Sequence, residues 1–362
     1  TRWRKWVQQA YDAPSGQFIE CLQLDGSPDP NQTVRTRTAA RLIYVYAHAS
    51  ALGVAPAGSL TMAEQAFANL HRSAWKNSPR PGYARTFHRT TGLVIDPVRD
   101  LYDNACVVLA LSWLLSATGK RHYAEKIDAT INAIDATLKD PFSGWAEDSL
   151  GTLPRRQNPH MHYFEAQLAL CEQHPSIAHS KMEKAIFALF RTHLFGACHG
   201  PLRENFGPRW EIDDLYGSGR LEPGHMCEWV WLIRRYGALT NMTHDALCDD
   251  LLTTALTIGR SEGSLFLQDQ VTANGTPLLP SRRLWSQVEM LKALLSQHRA
   301  LGQDRYRQDA EALASAMFAT YFRSVPEGCW HDMLDGQDRP IAKTIPASSL
   351  YHLWTLVADL MV

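Results

Sequence analysis

Two kinds of helical pattern alternate along the chain. In one kind, apolar residues recur at three- and four-residue steps and charged residues fill the other positions, as around Ile127, Ile131 and Ile134. This pattern predicts helices with one solvent-facing side, at residues 1–12, 60–76, 121–139, 180–195, 243–260 and 304–323. The other kind is apolar on almost all sides, which is typical of interior helices. It covers residues 37–53, 101–118, 160–173, 224–239, 283–301 and 347–361.

Strict alternation of outer and inner helices predicts an all-α fold of six helical hairpins. The simplest closed arrangement is an (α/α)6 barrel whose inner helices line a central cavity. Turn sequences flanked by short strand-like runs, such as Asn274-Gly275 and Asp335-Gly336, predict small β-hairpins at the barrel mouth. Because stacked repeats share one continuous core, we expect residues 1–362 to form a single domain.

Composition is that of an ordinary globular protein, with 45% hydrophobic and 20% charged residues. The net charge is −1 and no Lys/Arg stripe occurs, so we expect neither nucleic acid nor a membrane surface as partner. The seven cysteines are scattered without a CxxC pair, which indicates free thiols in a reducing compartment. No apolar run approaches the roughly 18 residues of a membrane span. We therefore expect a cytoplasmic protein, either a monomer or a homodimer.

Polar clusters interrupt the six inner patterns at intervals of about 60 to 65 residues, the spacing of a repeated structural unit. Most lie near the start of an inner helix, so a ring of helices would gather them at one mouth. Histidine in three of them indicates proton transfer near neutral pH. The clusters centre on Arg41, Tyr102-Asp103, His162, His225, Gln287 with Glu289, and His352.

The histidine clusters each have a structural alternative. In Asn158–His162 the two histidines cannot share one helix face, so one can enter the cavity while the other packs. A lone His-x-His pair is a weak zinc signal, and we expect no metal. His225 and Glu228 are i, i+3 neighbours, which suits either an orienter–base pair or a plain ion pair. A histidine such as His352 on an apolar helix is often a core residue, but its register with the others favours a site.

Other side chains in the inner patterns are also unusual. Burying a polar side chain in an apolar helix is unfavourable unless the side chain pairs or lines a cavity. The side chains concerned are Arg41, Trp285, Gln287 and Glu289. Aromatic rings interleaved with polar groups suit sugars, because the rings stack on C–H faces while polar groups bond the hydroxyls. The sequence holds no GxxxxGK[ST] or GxGxxG phosphate loop and no GxSxG elbow. These observations favour a neutral sugar over a nucleotide.

Taken together, the motifs resemble the N-acylglucosamine 2-epimerase superfamily over nearly the whole chain. The resemblance rests on Asn158–His162, Glu222–His225 with Glu228-Trp229, Arg283–Gln287 with Glu289, and Ala347–His352. It implies an (α/α)6 barrel and cofactor-free isomerisation or epimerisation of a sugar at C2. The sequences of Glu222–His225 and Trp330–Asp335 are similar to those of the mannose isomerase branch, whereas Leu101–Cys106 differs from the sequence of many members.

The resemblance also implies roles for individual residues. His352 and His225 would be the proton-transfer pair, with Glu228 orienting His225 and His162 assisting ring opening or holding the substrate. Arg41 would stabilise the oxyanion. The implied substrate-binding residues are Arg41, Asn158, Tyr102, Trp285, Gln287 and Glu289. We expect D-mannose to be converted to D-fructose through an enediolate, although Arg155 and Arg156 leave a phosphorylated sugar open.

Three alternatives stay open. The first is a sugar 2-epimerase such as N-acylglucosamine 2-epimerase. The second is an (α/α)6 glycoside hydrolase, for which Glu204, Glu228 and Asp148 are candidate carboxylates. The third is a non-enzymatic partner-binding protein. Clusters dominated by histidine favour proton transfer over glycoside cleavage, and the presence of all three histidines favours an enzyme.

Overall fold

A computed structural model describes residues 6, 9–77, 79–178, 181–195 and 200–361. Cys198 and most of the helix expected at residues 1–12 lie outside these residues. The described residues contain eleven α-helices, and the predicted alternation of inner and outer helices is confirmed. The inner helices are α1 Thr36–Ala51, α3 Leu101–Thr118, α5 Gln157–Gln173, α7 Pro223–Thr240, α9 Leu284–Leu301 and α11 Ala347–Asp359. The outer helices are α2 Ser59–Ala74, α4 His122–Leu138, α6 Met182–Leu189, α8 Asp245–Gly259 and α10 Asp304–Thr320.

The chain divides into two compact units, which are described separately. Unit 1 contains residues 1–189 and 346–351, and unit 2 contains residues 190–345 and 352–362. In unit 1, α3 packs against both α1 and α5, whereas in unit 2 α7 packs against α9. Each of these five inner helices also packs against the outer helix that follows it. The single domain expected from the sequence stays a prediction.

Helix α3 shows why the inner helices are apolar on all sides. Residues Leu101 to Leu114 are all buried, because the helix has α1 and α5 as neighbours and α4 behind it. By length and composition α3 could cross a membrane, contrary to our reading of the sequence, but 83% of its 18 residues are buried inside the protein. Its hydrophobicity is therefore accounted for by burial in the core of unit 1.

Short strands connect the helices. In unit 2, β10 Gln270–Val271 pairs with β11 Pro277–Leu279 around the predicted Asn274-Gly275 turn, and β12 Arg282–Arg283 pairs with β13 Met333–Leu334. In unit 1, β1 Tyr11–Asp12 pairs with β2 Gln17–Phe18. A four-stranded antiparallel sheet there contains β4 Thr33–Arg35, β5 Trp75–Lys76, β6 Gly82–His88 and β7 Val94–Arg99. The remaining short strands are β3 Cys21–Gln23, β8 Arg155–Arg156, β9 Asn205–Phe206 and β14 Thr344–Pro346.

A repeated contact fixes the start of three inner helices. The residue before each of α1, α5 and α9 is an arginine whose backbone N–H and guanidinium bond one carboxylate. The backbone N to carboxylate O distances are 2.6 Å for Arg35–Glu20, 3.0 Å for Arg156–Glu147 and 2.8 Å for Arg283–Asp269. Each contact anchors the chain where it enters the helix and neutralises a guanidinium. Helix α3 begins differently, with the Asp100 carboxylate accepting from the backbone N–H groups of Tyr102 and Asp103.

Candidate active site

Unit 1 contains a buried cluster to which α1, α3 and α5 each contribute one side chain. Arg41 donates from Nη2 to the Tyr102 hydroxyl at 2.6 Å, and the same nitrogen lies 3.2 Å from His162 Nε2. The His162 and Tyr102 rings stack with centroids 4.4 Å apart and planes 5° apart. Because a guanidinium can only donate, His162 Nε2 is the acceptor and the imidazole is neutral with its hydrogen on Nδ1. Three residues selected from the sequence therefore lie together.

The other nitrogen of His162 is held by a carboxylate. His162 Nδ1 lies 3.2 Å from Glu165 Oε2, and the Tyr351 hydroxyl donates to the same oxygen. The Arg41 guanidinium lies over the Tyr351 ring, 4.2 Å from its centroid. Both nitrogens of His162 are thus engaged, which suits positioning or binding better than removal of a proton. Sequence reasoning missed Glu165, although it stands three residues after His162, the spacing that drew attention to Glu228.

Unit 2 contains His225, on the first turn of α7. This residue is only 5% exposed, and its Nδ1 lies 2.9 Å from Glu204 Oε2 and 3.7 Å from Glu222 Oε2. Burial by itself lowers the pKa of His225, but the Glu204 carboxylate, together with Glu222 and Glu228, outweighs burial and raises the pKa to about 9. His225 is therefore an imidazolium at neutral pH. It is suited to donate a proton or to stabilise a developing oxyanion.

The structure adds a carboxylate to the one expected beside His225. The role of Glu228 in orienting His225 stays a prediction, and the Glu204 carboxylate lies 2.9 Å from His225 Nδ1. Glu228 is completely buried, and its carboxylate lies within 4.8 Å of donor atoms of Glu289 and His352. Glu228, at the i, i+3 position, is near enough to raise the pKa of His225. The 2.9 Å contact comes instead from Glu204, in a loop that precedes α7 in the sequence. The sequence had suggested Glu204 only as a carboxylate of a hydrolase.

His352 is the second histidine of unit 2, and a different carboxylate holds it. Its Nδ1 lies 2.6 Å from Glu289 Oε1, and the imidazole is 6% exposed. A carboxylate at Nδ1 favours the tautomer with the hydrogen on that nitrogen, so Nε2 becomes the basic nitrogen. This is the arrangement of a general base with its orienting group. Glu289 therefore orients His352 in this arrangement, and its expected contact with substrate stays a prediction.

Trp285 contacts both histidines of unit 2. Its ring centroid lies 4.9 Å from that of His225 and 5.5 Å from that of His352, and each pair of planes is inclined by 36°. Trp285 is partly exposed, so part of its ring is open to a ligand. An acidic imidazolium and a basic imidazole thus share one aromatic neighbour. This placement fits the substrate contact predicted for Trp285.

Gln287 differs from the expectation that it binds substrate. Its Oε1 accepts from the backbone N–H of Leu267 at 2.8 Å, and its Nε2 donates to the Leu267 carbonyl at 2.9 Å and the Arg283 carbonyl at 3.1 Å. The side chain is completely buried. The amide therefore holds the chain at Leu267 against the first turn of α9. Gln287 can therefore be buried in an inner helix because its amide group is hydrogen-bonded to backbone groups.

Replacing Gln287 by Leu is expected to lower the free energy of unfolding by about 1–3 kcal/mol for each buried Leu267 group left without a partner. Denaturant unfolding followed by circular dichroism measures this change. The KM of the folded fraction should stay close to the wild-type value. A raised KM with unchanged stability would return Gln287 to the substrate-binding residues.

Of the two neighbouring histidines, His160 is the structural one. Its Nε2 accepts from the Trp145 backbone N–H at 3.2 Å, and its Nδ1 lies 3.3 Å from the Arg156 carbonyl. Burial lowers the pKa of His160 to about 3, so it stays neutral. Asn158, at the start of α5, is half-buried, and its predicted substrate contact stays a prediction.

The other chemistries considered for these residues fit less well. Donor atoms of Glu228, Glu289 and His352 lie within 4.8 Å of one another, a spacing that a metal ion could use, but the Lys292 ammonium already lies 2.7 Å from Glu289 Oε2. Among the carboxylates offered for a glycosidase, Asp148 accepts from the Leu150 and Thr152 backbone and pairs with Arg85. These contacts favour proton transfer by the two histidines of unit 2.

Comparisons with known proteins identify relatives over almost the full length. The sequence model of a family described as N-acylglucosamine 2-epimerase matches residues 16–355. A mannose-6-phosphate isomerase of Rhizobium meliloti (strain 1021) is 28% identical over 372 residues, covering 98% of this chain and 92% of the relative. A D-mannose isomerase of Thermobifida fusca is 26% identical over 350 residues, covering 90% of this chain and 83% of the relative.

The fold is also that of a solved structure. A crystal structure of D-mannose isomerase matches with a TM-score of 0.90 at 19% identity, covering 99% of this chain and 95% of that one. Identity this low shows the fold alone. It confirms the fold class predicted from the sequence, an all-α (α/α)6 barrel with a few short strands.

Proposed function

Since the chain belongs to the N-acylglucosamine 2-epimerase family, we propose that this enzyme is an aldose–ketose isomerase that interconverts D-mannose and D-fructose. The observation that carries the proposal is the pair of histidines in contact with Trp285, one acidic and one basic. The names of two relatives, a D-mannose isomerase and a mannose-6-phosphate isomerase, support mannose as the sugar. No cofactor is needed for the chemistry that these residues offer.

The first step is removal of the proton at C2 of the open-chain aldose. A C–H bond beside a carbonyl is a weak acid, so it needs a positioned base, and His352 Nε2 takes the proton while Glu289 holds Nδ1. The C–H electron pair forms the C1–C2 double bond, and the carbonyl electron pair moves to O1. The imidazolium of His225 stabilises this developing oxyanion, so the intermediate is an enediolate whose C2 hydroxyl is still protonated.

The second step decides the product. The enediolate becomes a ketose when the His352 imidazolium gives its proton to C1, while His225 gives a proton to O1 and takes the proton that the C2 hydroxyl loses. When the proton returns to the opposite face of C2, the product is the epimeric aldose. We favour the ketose because the two relatives, named mannose-6-phosphate isomerase and D-mannose isomerase, are isomerases. The roles predicted for His162, Arg41, Tyr102 and Asn158 stay predictions from family resemblance.

The arginines that could have received a phosphate are already engaged. Arg155 Nη2 donates to the carbonyls of Ser143 at 2.7 Å and Trp145 at 2.8 Å. Arg156 Nε donates to Glu147 Oε1 at 2.6 Å, and its Nη2 faces the same carboxylate. These contacts occupy part of each guanidinium, which leaves less of its planar fork for a phosphate. These contacts support a free sugar over a phosphorylated one.

Incubation with single sugars in buffer, followed by NMR, tests the proposed substrate. The panel contains D-mannose, mannose 6-phosphate, N-acetylmannosamine and cellobiose. We expect fructose from mannose, at the same rate with and without EDTA. N-acetylglucosamine from N-acetylmannosamine, with mannose untouched, would contradict the proposal in favour of the 2-epimerase. Conversion of mannose 6-phosphate alone would contradict the choice of a free sugar.

A further inference from the structure

Lys292 is a buried lysine to which the proposed mechanism assigns no role. Its side chain has 0% exposure and lies on α9, three residues after Glu289. Removing an ammonium group from water is strongly unfavourable unless good contacts compensate it. An apolar residue of similar length would fill the same space without that cost. The charge itself is therefore expected to serve a purpose.

The polar contacts of Lys292 connect it to His352, the proposed base. Its Nζ lies 2.7 Å from Glu289 Oε2, whereas His352 Nδ1 contacts the other carboxylate oxygen, Oε1. The same nitrogen donates to Thr355 Oγ1 at 3.1 Å, and Thr355 Oγ1 donates to the His352 carbonyl at 2.9 Å. Trp231 completes the surroundings, with its ring centroid 3.6 Å from Nζ. Lys292 is thus joined to the orienting carboxylate and to the helical turn that carries His352.

We propose that Lys292 is a positioning residue of the isomerisation, which offsets the charge of Glu289 and keeps its carboxylate directed at His352 Nδ1. This inference rests on the proposed function, in which His352 is the base. Without a nearby cation, the buried Glu289 carboxylate would draw a proton onto the imidazole that it contacts, and a protonated His352 has no basic Nε2. The Nζ contact with Oε2 also fixes the carboxylate rotation that presents Oε1 to the imidazole.

The charges around His352 determine the direction of the expected pH effect. The carboxylates of Glu289 and Glu228 face the imidazole, and Lys292 is the cation beside them. The Cys227 thiol also lies near Glu289, and burial keeps it neutral by raising its pKa. Without Lys292, the two carboxylates would stabilise the protonated imidazole without opposition. The base would then be protonated up to a higher pH.

Lys292→Met tests the inference, because it keeps an unbranched apolar stem and removes the charge. We expect kcat for mannose to fall ~10- to 100-fold, as for a displaced catalytic group, with KM little changed. The acid limb of the kcat/KM profile should move to higher pH. The exposed Lys184 replaced by Met is the control and should match wild type. A lower kcat with an unmoved profile would indicate a merely structural role and overturn the proposal.

A double variant addresses the risk that Lys292→Met does not fold. Glu289→Gln combined with Lys292→Met removes both charges of the ion pair, so neither partner is left buried without the other. If Lys292 acts through Glu289, the double variant should lose no more kcat than Glu289→Gln alone. If the fold-loss of kcat in the double variant equals the product of the two single-variant losses, Lys292 acts independently of Glu289 and the inference is overturned.

A titration without sugar separates this inference from the proposed function. NMR of the ¹⁵N-labelled imidazoles follows His352 across pH in wild type and in Lys292→Met. The midpoint is expected to rise in the variant, and an unmoved midpoint would refute the role of Lys292. Failure of wild type to convert any sugar, with the midpoint raised as expected, would refute only the proposed function.

Discussion

Replacing His352 by Asn is expected to lower kcat for mannose at least ~100-fold, the lower end for loss of a general base. The amide of Asn can still donate to Glu289 but has no basic nitrogen, so the variant keeps a polar contact and loses the proton acceptor. Steady-state conversion of mannose to fructose measures the effect. Replacing the exposed His122 by Asn provides the matched control and should leave kcat unchanged.

The His352→Asn variant also separates binding from chemistry. Its KM should change much less than its kcat, because His352 acts on the proton in the transition state. Far-UV circular dichroism and thermal unfolding should resemble wild type. Turnover near the wild-type rate in a folded His352→Asn protein would remove His352 from the mechanism.

The rate is expected to fall as pH rises through about 9, because His225 then loses the proton that makes it an acid. Burial opposes the charged form of His225, and Glu204 is the first of the carboxylates that overcome burial and raise the pKa to about 9. Glu204→Gln removes this contribution while burial remains. The pKa of His225 should therefore fall, and the alkaline limb of the kcat/KM profile should move to lower pH.

Profiles of kcat/KM for wild type and Glu204→Gln, measured from about pH 6 to 10, test this account of His225. The exposed Glu262 replaced by Gln is the control in the same unit and should keep the wild-type limb. An alkaline limb that is identical in Glu204→Gln would show that a group other than His225 sets it. The imidazolium would then have no place in the mechanism.

Helical periodicity predicted most of the fold, because an inner helix such as α3 is buried along almost its whole length. The four-stranded sheet of unit 1 was not predicted. Its edge strand β7 contains Pro97 and is largely half-exposed, so its sequence lacks the apolar alternation of a typical strand. Its hydrogen bonds to β6 are tertiary contacts that no local pattern encodes.

The three histidines of the two clusters were predictable, whereas some of their partners were not. The repeat interval identified His162, His225 and His352, and Glu165 stands at a helical spacing from His162, but the Glu204 carboxylate beside His225 is placed there by packing between elements. Glu204 reaches His225 from a loop, and Lys292 was hidden in an apolar pattern. Position on an inner helix likewise could not show that Gln287 bonds backbone. Sequence spacing gives proximity, and only the structure gives the direction of a side chain.

Conversion of mannose in D2O, with the deuterium content of fructose read by NMR, tests the central claim most directly. The claim is that His352 and His225 move protons through an enediolate. A proton carried by an imidazole exchanges with solvent, so fructose formed by wild type should carry deuterium at C1. Fructose that forms at a normal rate without any deuterium, even after many reversible turnovers, would indicate direct hydride transfer from C2 to C1 and contradict the account.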